Sequence, residues 1–133
     1  MAYEIKRAKH FTDTIVISDN GEELRLPVEI HIDDILTAVN KAFRELAIAQ
    51  EALVLAQAGD DMEKLGRASE GLQDATRTLF TWLFGEGSAK EIGDFYDGRW
   101  MEVLADFYPY LNTVLIPKIK EAQLAIAAAY KIK

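Results

Sequence analysis

No cysteine occurs in this chain, so disulfide frameworks, thiolate zinc sites and thiol nucleophiles are excluded. Histidine is nearly as scarce, with His10 and His31 the only two in 133 residues. Cations are outnumbered, 15 Lys and Arg against 22 Asp and Glu, which leaves a formal charge of −7. Nucleic acid is a poor partner for such a chain, because phosphate binding needs a basic field. No stretch of about 18 uncharged apolar residues is present, so no membrane-spanning helix is expected. The opening MAYEIKRAKH is charged and leads into no apolar run, unlike a secretory signal, and the expected location is cytoplasmic. Half of the residues are nonetheless hydrophobic. That content argues for a folded single domain over residues 1–133.

The strongest local signal is Asn20-Gly21. Asn-Gly favours a two-residue type I′ loop, whose central positions both need φ > 0. Such a loop sets Ile17 opposite Leu24, Ile15 opposite Leu26, Asp13 opposite Val28 and Phe11 opposite Ile30. Side chains alternate along a strand, so these residues share one face, on which only Asp13 is polar. Thr12, Thr14, Val16 and Ser18 share the other face with Glu23, Arg25, Pro27 and Glu29. A hairpin over about residues 10–31 therefore has one apolar face that needs a partner and two open edges.

Beyond the hairpin the apolar period changes from two to 3.6. Asp33 is the expected N-cap of a helix carrying Ile35, Val39, Ala42, Phe43, Leu46, Ala49, Leu53 and Ala56, with Gly59 beyond its end. This stripe is the expected seat of the hairpin's apolar face. Asp60-Asp61 opens a second helix with a near-heptad stripe of Met62, Leu65, Ala68, Leu72, Ala75, Leu79 and Trp82. Gly66 and Gly71 interrupt it, and close helix–helix approach is the expected reason. Ser88 and Glu91 read as a capping box that starts a short helix ending at Gly98. Trp100, Val103, Leu104, Phe107 and Tyr108 continue in helical spacing until Pro109, which is expected to break or kink the chain and move Tyr108 out of helical geometry. Pro117 repeats that signal, and an alanine-rich helix runs from Ile119 through Tyr130. The fold class expected is α+β, mainly α: an N-terminal β-hairpin followed by a bundle of four or five helices over about residues 33–131.

Catalytic machinery is not evident, and no catalytic or cofactor-binding residue is assigned. His10 and His31 fall opposite each other in the hairpin register, and with Glu29 they are the candidate ligands for a divalent metal. The acidic pairs Glu22-Glu23, Asp33-Asp34 and Asp60-Asp61 sit at turns or helix starts, where capping and the helix dipole account for them. Gly85-Glu86-Gly87-Ser88 lacks the strand and lysine of a phosphate loop. Aromatics are dense from Phe80 to Tyr110, and most are expected in the core. Trp100, Tyr108 and Tyr110 flank the proline and belong to the residue types enriched at interfaces. With Thr14, Val16 and Arg25 at the hairpin edges, they are the residues expected to meet another chain.

The segment from Leu83 to Gly98 (LFGEGSAKEIGDFYDG) and the continuation from Trp100 through Phe107-Tyr108-Pro109-Tyr110 carry a family likeness. They resemble the tail assembly chaperones of long, non-contractile-tailed phages and related prophages of Gram-positive bacteria. There an LFGEE-like turn leads to a short aromatic helix ending in glycine, then to a helix with an aromatic-Pro-aromatic element. Gly87 departs from that pattern where a second acidic residue is common, and the alanine-rich stretch after Pro117 is particular to this chain. The resemblance implies a non-enzymatic protein that self-associates and coats the tape measure protein in the bacterial cytoplasm. Tail tube subunits would then replace it, leaving none in the mature virion. Two other readings remain open: a structural tail component or adaptor retained in the virion, and a small metal-binding domain.

Overall fold

The computed structural model describes residues 2–5 and 11–130. Two antiparallel strands, β1 (Phe11–Asp19) and β2 (Glu22–Ile30), pair in the register that the Asn-Gly loop dictates, with Ile15 opposite Leu26 and Val16 opposite Arg25. Asn20 and Gly21 both adopt left-handed φ values, 47° and 85°. Helix α1 follows over residues 32–57, then α2 (Met62–Phe84), α3 (Glu86–Phe95) and α4 over residues 100–129. The fold is α+β and mainly α, with the hairpin ahead of a four-helix body.

Helix α1 begins one residue before Asp33 and widens into a π turn at Ile35–Val39 before running as Asn40–Gln57. Asp33 therefore lies inside the first turn rather than at the N-cap, where its charge still suits the helix dipole. Its carbonyl accepts from Thr37 Oγ1 at 3.0 Å. Val39, Ala42, Leu46 and Ala56 are buried and Phe43, Ala49 and Leu53 pack partly against the core, so these seven are as expected, while the side chain of Ile35 lies outside those described. The hairpin does not rest chiefly on that stripe, however. Leu26, Val28 and Ile30 of β2 are buried, and β2 lies mainly along α2, with α3 at its flank.

Asp61 caps α2, its Oδ1 accepting from the N–H groups of Glu63 at 3.0 Å and Lys64 at 3.2 Å. The near-heptad stripe holds only in the middle of α2. Met62 is 77 % exposed and Trp82 50 %, and the buried row toward the C-terminal end is Leu72, Thr76, Leu79, Phe80, Leu83 and Phe84. A seven-residue repeat drifts by about 20° per heptad on a 3.6-residue helix, which carries Trp82 off the face. Gly66 and Gly71 serve no close approach, since a Cβ at either would meet nothing within 4 Å.

Gly85, at φ 87° and ψ 161°, ends α2 and starts α3 in one residue. Ser88 consequently sits inside α3 and caps nothing; the left-handed glycine lets the helix restart at Glu86. The far end of α3 closes with Gly98 N–H on the Gly93 carbonyl at 2.8 Å and Asp97 N–H on the Asp94 carbonyl at 3.2 Å. Asp97 and Gly98 both take left-handed φ, which makes a Schellman stop. Pro109 breaks nothing, and Tyr108 stays helical. A π turn at Leu111–Leu115 follows at once, and α geometry resumes at Ile116, so Pro117 falls in a first turn where its missing N–H is tolerated. Thr113 Oγ1 takes up the Pro109 carbonyl at 2.6 Å.

The centre of the body is a set of edge-to-face rings. Phe80 meets Phe84 at 5.4 Å, Trp100 at 5.8 Å and Phe107 at 4.9 Å between centroids, tying α2 to α4. Gly93 of α3 makes room for them, because a Cβ there would lie 3.1 Å from Trp100 Cζ2. Among the described residues no helix is long and apolar enough to cross a membrane. Gly66→Ala and Gly71→Ala are each expected to stabilise the protein by about 0.5–1 kcal/mol in chemical denaturation, from helix propensity in open space. Gly93→Ala is expected to cost about 1 kcal/mol, because the rings around Trp100 prevent its retreat.

Candidate assembly surface

The two-residue loop decides which backbone groups of the hairpin are satisfied. Asp19 and Glu22 flank it as a hydrogen-bonded pair, so the odd-numbered residues of β1 turn their N–H and C=O toward β2. The even-numbered residues Thr12, Thr14, Val16 and Ser18 turn theirs outward. On β2 the outward set is Glu23, Arg25, Pro27 and Glu29, and Pro27 has no N–H to offer. The β2 edge is thus blunted by proline, whereas β1 carries none.

Beside the β1 edge lies a cleft of about 500 Å³, walled on one side by residues 14–18 and on the other by Tyr96 of the α3 end and Asp106, Phe107 and Tyr110 of α4. The unequal burial of the hairpin explains it. Leu26, Val28 and Ile30 of β2 are buried, but Leu24 near the turn and Phe11, Ile15 and Ile17 of β1 are only half-buried. The apolar face of β1 therefore packs on the core only in part and borders the cleft. Two tyrosine–aspartate bonds brace it. Tyr110 donates to Asp13 Oδ2 at 2.9 Å, linking residues 97 positions apart, and Tyr96 donates to Asp106 Oδ2 at 2.9 Å. Asp13 Oδ1 also accepts the outward Thr14 N–H at 2.8 Å, which occupies one donor of the edge and leaves those of Val16 and Ser18 facing the cleft.

Carboxylates border the cleft, with Asp106 in its lining and Asp13 hydrogen-bonded to Tyr110. Burial raises the Tyr96 hydroxyl well above the usual tyrosine range, helped by its bond to Asp106 and by the charges of Asp106, Glu102 and Asp19. Tyr110 is raised likewise by burial, then by its bond to Asp13 and that charge. Carboxylates thus stand at both ends of an apolar, aromatic-walled trough.

Of the residues expected to meet another chain, Thr14, Val16 and Tyr110 converge on this cleft. Val16 is 45 % exposed. Arg25 sits exposed on the outer face, paired with Glu23 at 2.6 Å. Tyr108, 53 % exposed, belongs to a different depression of about 210 Å³ between α1 and α4. Trp100 is not at the surface: it is 7 % exposed and packed on Phe80 at 5.8 Å between ring centroids. His31 Nε2 lies 3.2 Å from Glu29 Oε1. His10 lies outside the described residues, and among those described no three His, Cys, Asp or Glu groups gather as a metal site. Tyr96, Asp106 and Phe107 were not expected at a site. Only the packing of the α3 end and of α4 alongside β1 brings them there, and no sequence spacing signals it. No protein-family model, curated protein or solved structure matches this chain.

A tyrosine whose pKa is raised by folding supports stability below about pH 10 and gives that support up as pH rises further. Tyr110→Phe is expected to lower stability at neutral pH by about 1 kcal/mol. It should also flatten the fall in stability above about pH 10, as read by denaturant unfolding at a series of alkaline pH values.

Proposed function

We propose that this protein is a non-catalytic, self-associating assembly factor, of the kind that coats a phage tape measure protein during tail construction and leaves before the particle is complete. The observation that carries this reading is the β1 edge, which pairs with no other strand among the described residues and lies above an apolar cleft, in a chain whose opposite edge is blunted by Pro27. An unpaired edge beside apolar side chains invites strand addition, in which main-chain bonds supply affinity and alternate side chains supply selectivity. Exposed apolar side chains elsewhere add weak contact points: Ile48, Val54 and Leu55 on α1 and Leu124 on α4 are all more than 60 % exposed. Many weak contacts in register suit a coat that must be both stable and removable. The acidic surface favours solubility and disfavours DNA. The resemblance of residues 83–110 to tail assembly chaperones supplies the identity of the coated partner and the site of action, the bacterial cytoplasm.

Co-expression with the tape measure protein is the test of function: the wild-type chain should keep that protein soluble and co-purify with it, yet be missing from purified particles. Recovery from mature particles would overturn the chaperone reading in favour of a retained adaptor. For the surface, Val16→Pro removes an outward N–H without touching a ladder bond and should weaken self-association at least about tenfold in sedimentation velocity. Arg25→Pro adds a second proline to an edge already blunted and should leave association unchanged.

A further inference from the structure

Resting on the strand addition just proposed, we infer that the cleft beside β1 takes an extended segment of another protein whose cleft-side residues run basic, apolar, apolar, basic, and that this segment displaces a second copy from the same edge. The inward row of β1 sets the pattern. Asp13, Ile15, Ile17 and Asp19 alternate onto one face, so two apolar side chains stand between two carboxylates. Tyr110 ties Asp13 to α4 at one end. At the other end the charge of Asp19 reaches Tyr96, as do those of Asp106 and Glu102. Phe107 adds an apolar wall, and among the described residues no lysine or arginine lines the cleft.

A strand laid along this edge accepts from the outward N–H groups of Val16 and Ser18 and donates its own to the outward carbonyls of β1. Its cleft-side residues then stand opposite Asp13, Ile15, Ile17 and Asp19 in turn. Lysine or arginine at the two outer positions meets a carboxylate across the pair, and an apolar residue at each inner position fills the space between the isoleucines and Phe107. A cleft of about 500 Å³ admits both inner side chains. The pattern reads the same from either end, so it holds whichever way the strand runs. A second copy matches less well. On the apolar faces of its strands, β1 carries Asp13 and Asp19 and β2 carries Glu22, with no cation on either. Opposite charges across a strand pair are stabilising and like charges destabilising. A second copy therefore holds the edge weakly, and a strand with basic ends takes its place.

Labelled peptides test this on the full-length protein. The matched probe is Lys-Thr-Ile-Thr-Ile-Thr-Lys, acetylated and amidated. One control replaces both lysines by glutamate. A second, Lys-Ile-Thr-Thr-Thr-Ile-Lys, keeps composition and charge but moves the isoleucines off the cleft side. In fluorescence anisotropy the matched probe should bind the wild-type chain at least about tenfold more tightly than either control. The double variant Asp19→Lys, Glu102→Lys spares both tyrosine bonds, and circular dichroism and melting establish that it folds. It should turn the preference toward the glutamate peptide. Equal binding of the matched and permuted peptides to wild type would reduce the effect to general charge attraction and overturn the proposal. Failure of the matched peptide to bind would overturn it too, while the self-association stands. In sedimentation velocity, excess matched peptide should dissociate the assembled protein. Assembly that persists with the peptide bound would refute the displacement and move self-association to another surface. A wild-type chain that is monomeric at every concentration would refute the self-association, and anisotropy alone then decides the occupant of the cleft.

Discussion

The phase of one two-residue turn governs this structure. Asn20 and Gly21 occupy left-handed φ, and with that loop length every cross-strand pair is set at once. A shift of one residue would send Leu26, Val28 and Ile30 to solvent and turn Glu23, Arg25 and Glu29 toward the aromatic core. The same phase decides which amides of β1 are spent on β2 and which face away. Core, edge and cleft are thus consequences of a single conformational choice made by two residues.

Packing then makes the two strands unequal. β2 is held on α2 and α3, while β1 packs on the core through half-covered apolar side chains and is tied to α4 by a tyrosine–aspartate bond. The ring cluster of Phe80, Phe84, Trp100 and Phe107 fixes α4 at a distance from β1 that opens a trough rather than a seam. Pro27 lies on the edge where a missing donor costs nothing, and it discourages pairing there. The molecule thus protects one edge and leaves the other beside an apolar wall bordered by carboxylates.

Much of this was legible in the residues. The hairpin register, the α1 stripe from Val39 to Ala56 and the helix start at Asp60-Asp61 follow from local chemistry, and each stands as expected. Errors arose where one local signal competed with another. Ser88 and Glu91 form a sound capping box, yet Gly85 starts the helix before they can act. Pro109 is a strong helix breaker, yet the chain stays helical through it and widens into a π turn just after. The heptad reading of α2 failed by drift, which put Trp82 outside. The cleft as such was not legible, although Thr14, Val16 and Tyr110 were among the residues singled out, because Tyr96 and Asp106 come to their side only through tertiary folding. The hint available was the mismatch between the apolar face of β1 and its need for cover.

If β1 is an acceptor edge, the amides of Val16 and Ser18 must change state on assembly while those of Ile15 and Ile17 do not. Residue-resolved amide hydrogen exchange, at dilutions spanning monomer and oligomer, reads this directly. Protection of Val16 and Ser18 that rises with oligomer fraction, against steady protection of Ile15 and Ile17, is the expected result. Fast exchange at Val16 and Ser18 in the fully assembled protein would contradict strand addition at this edge.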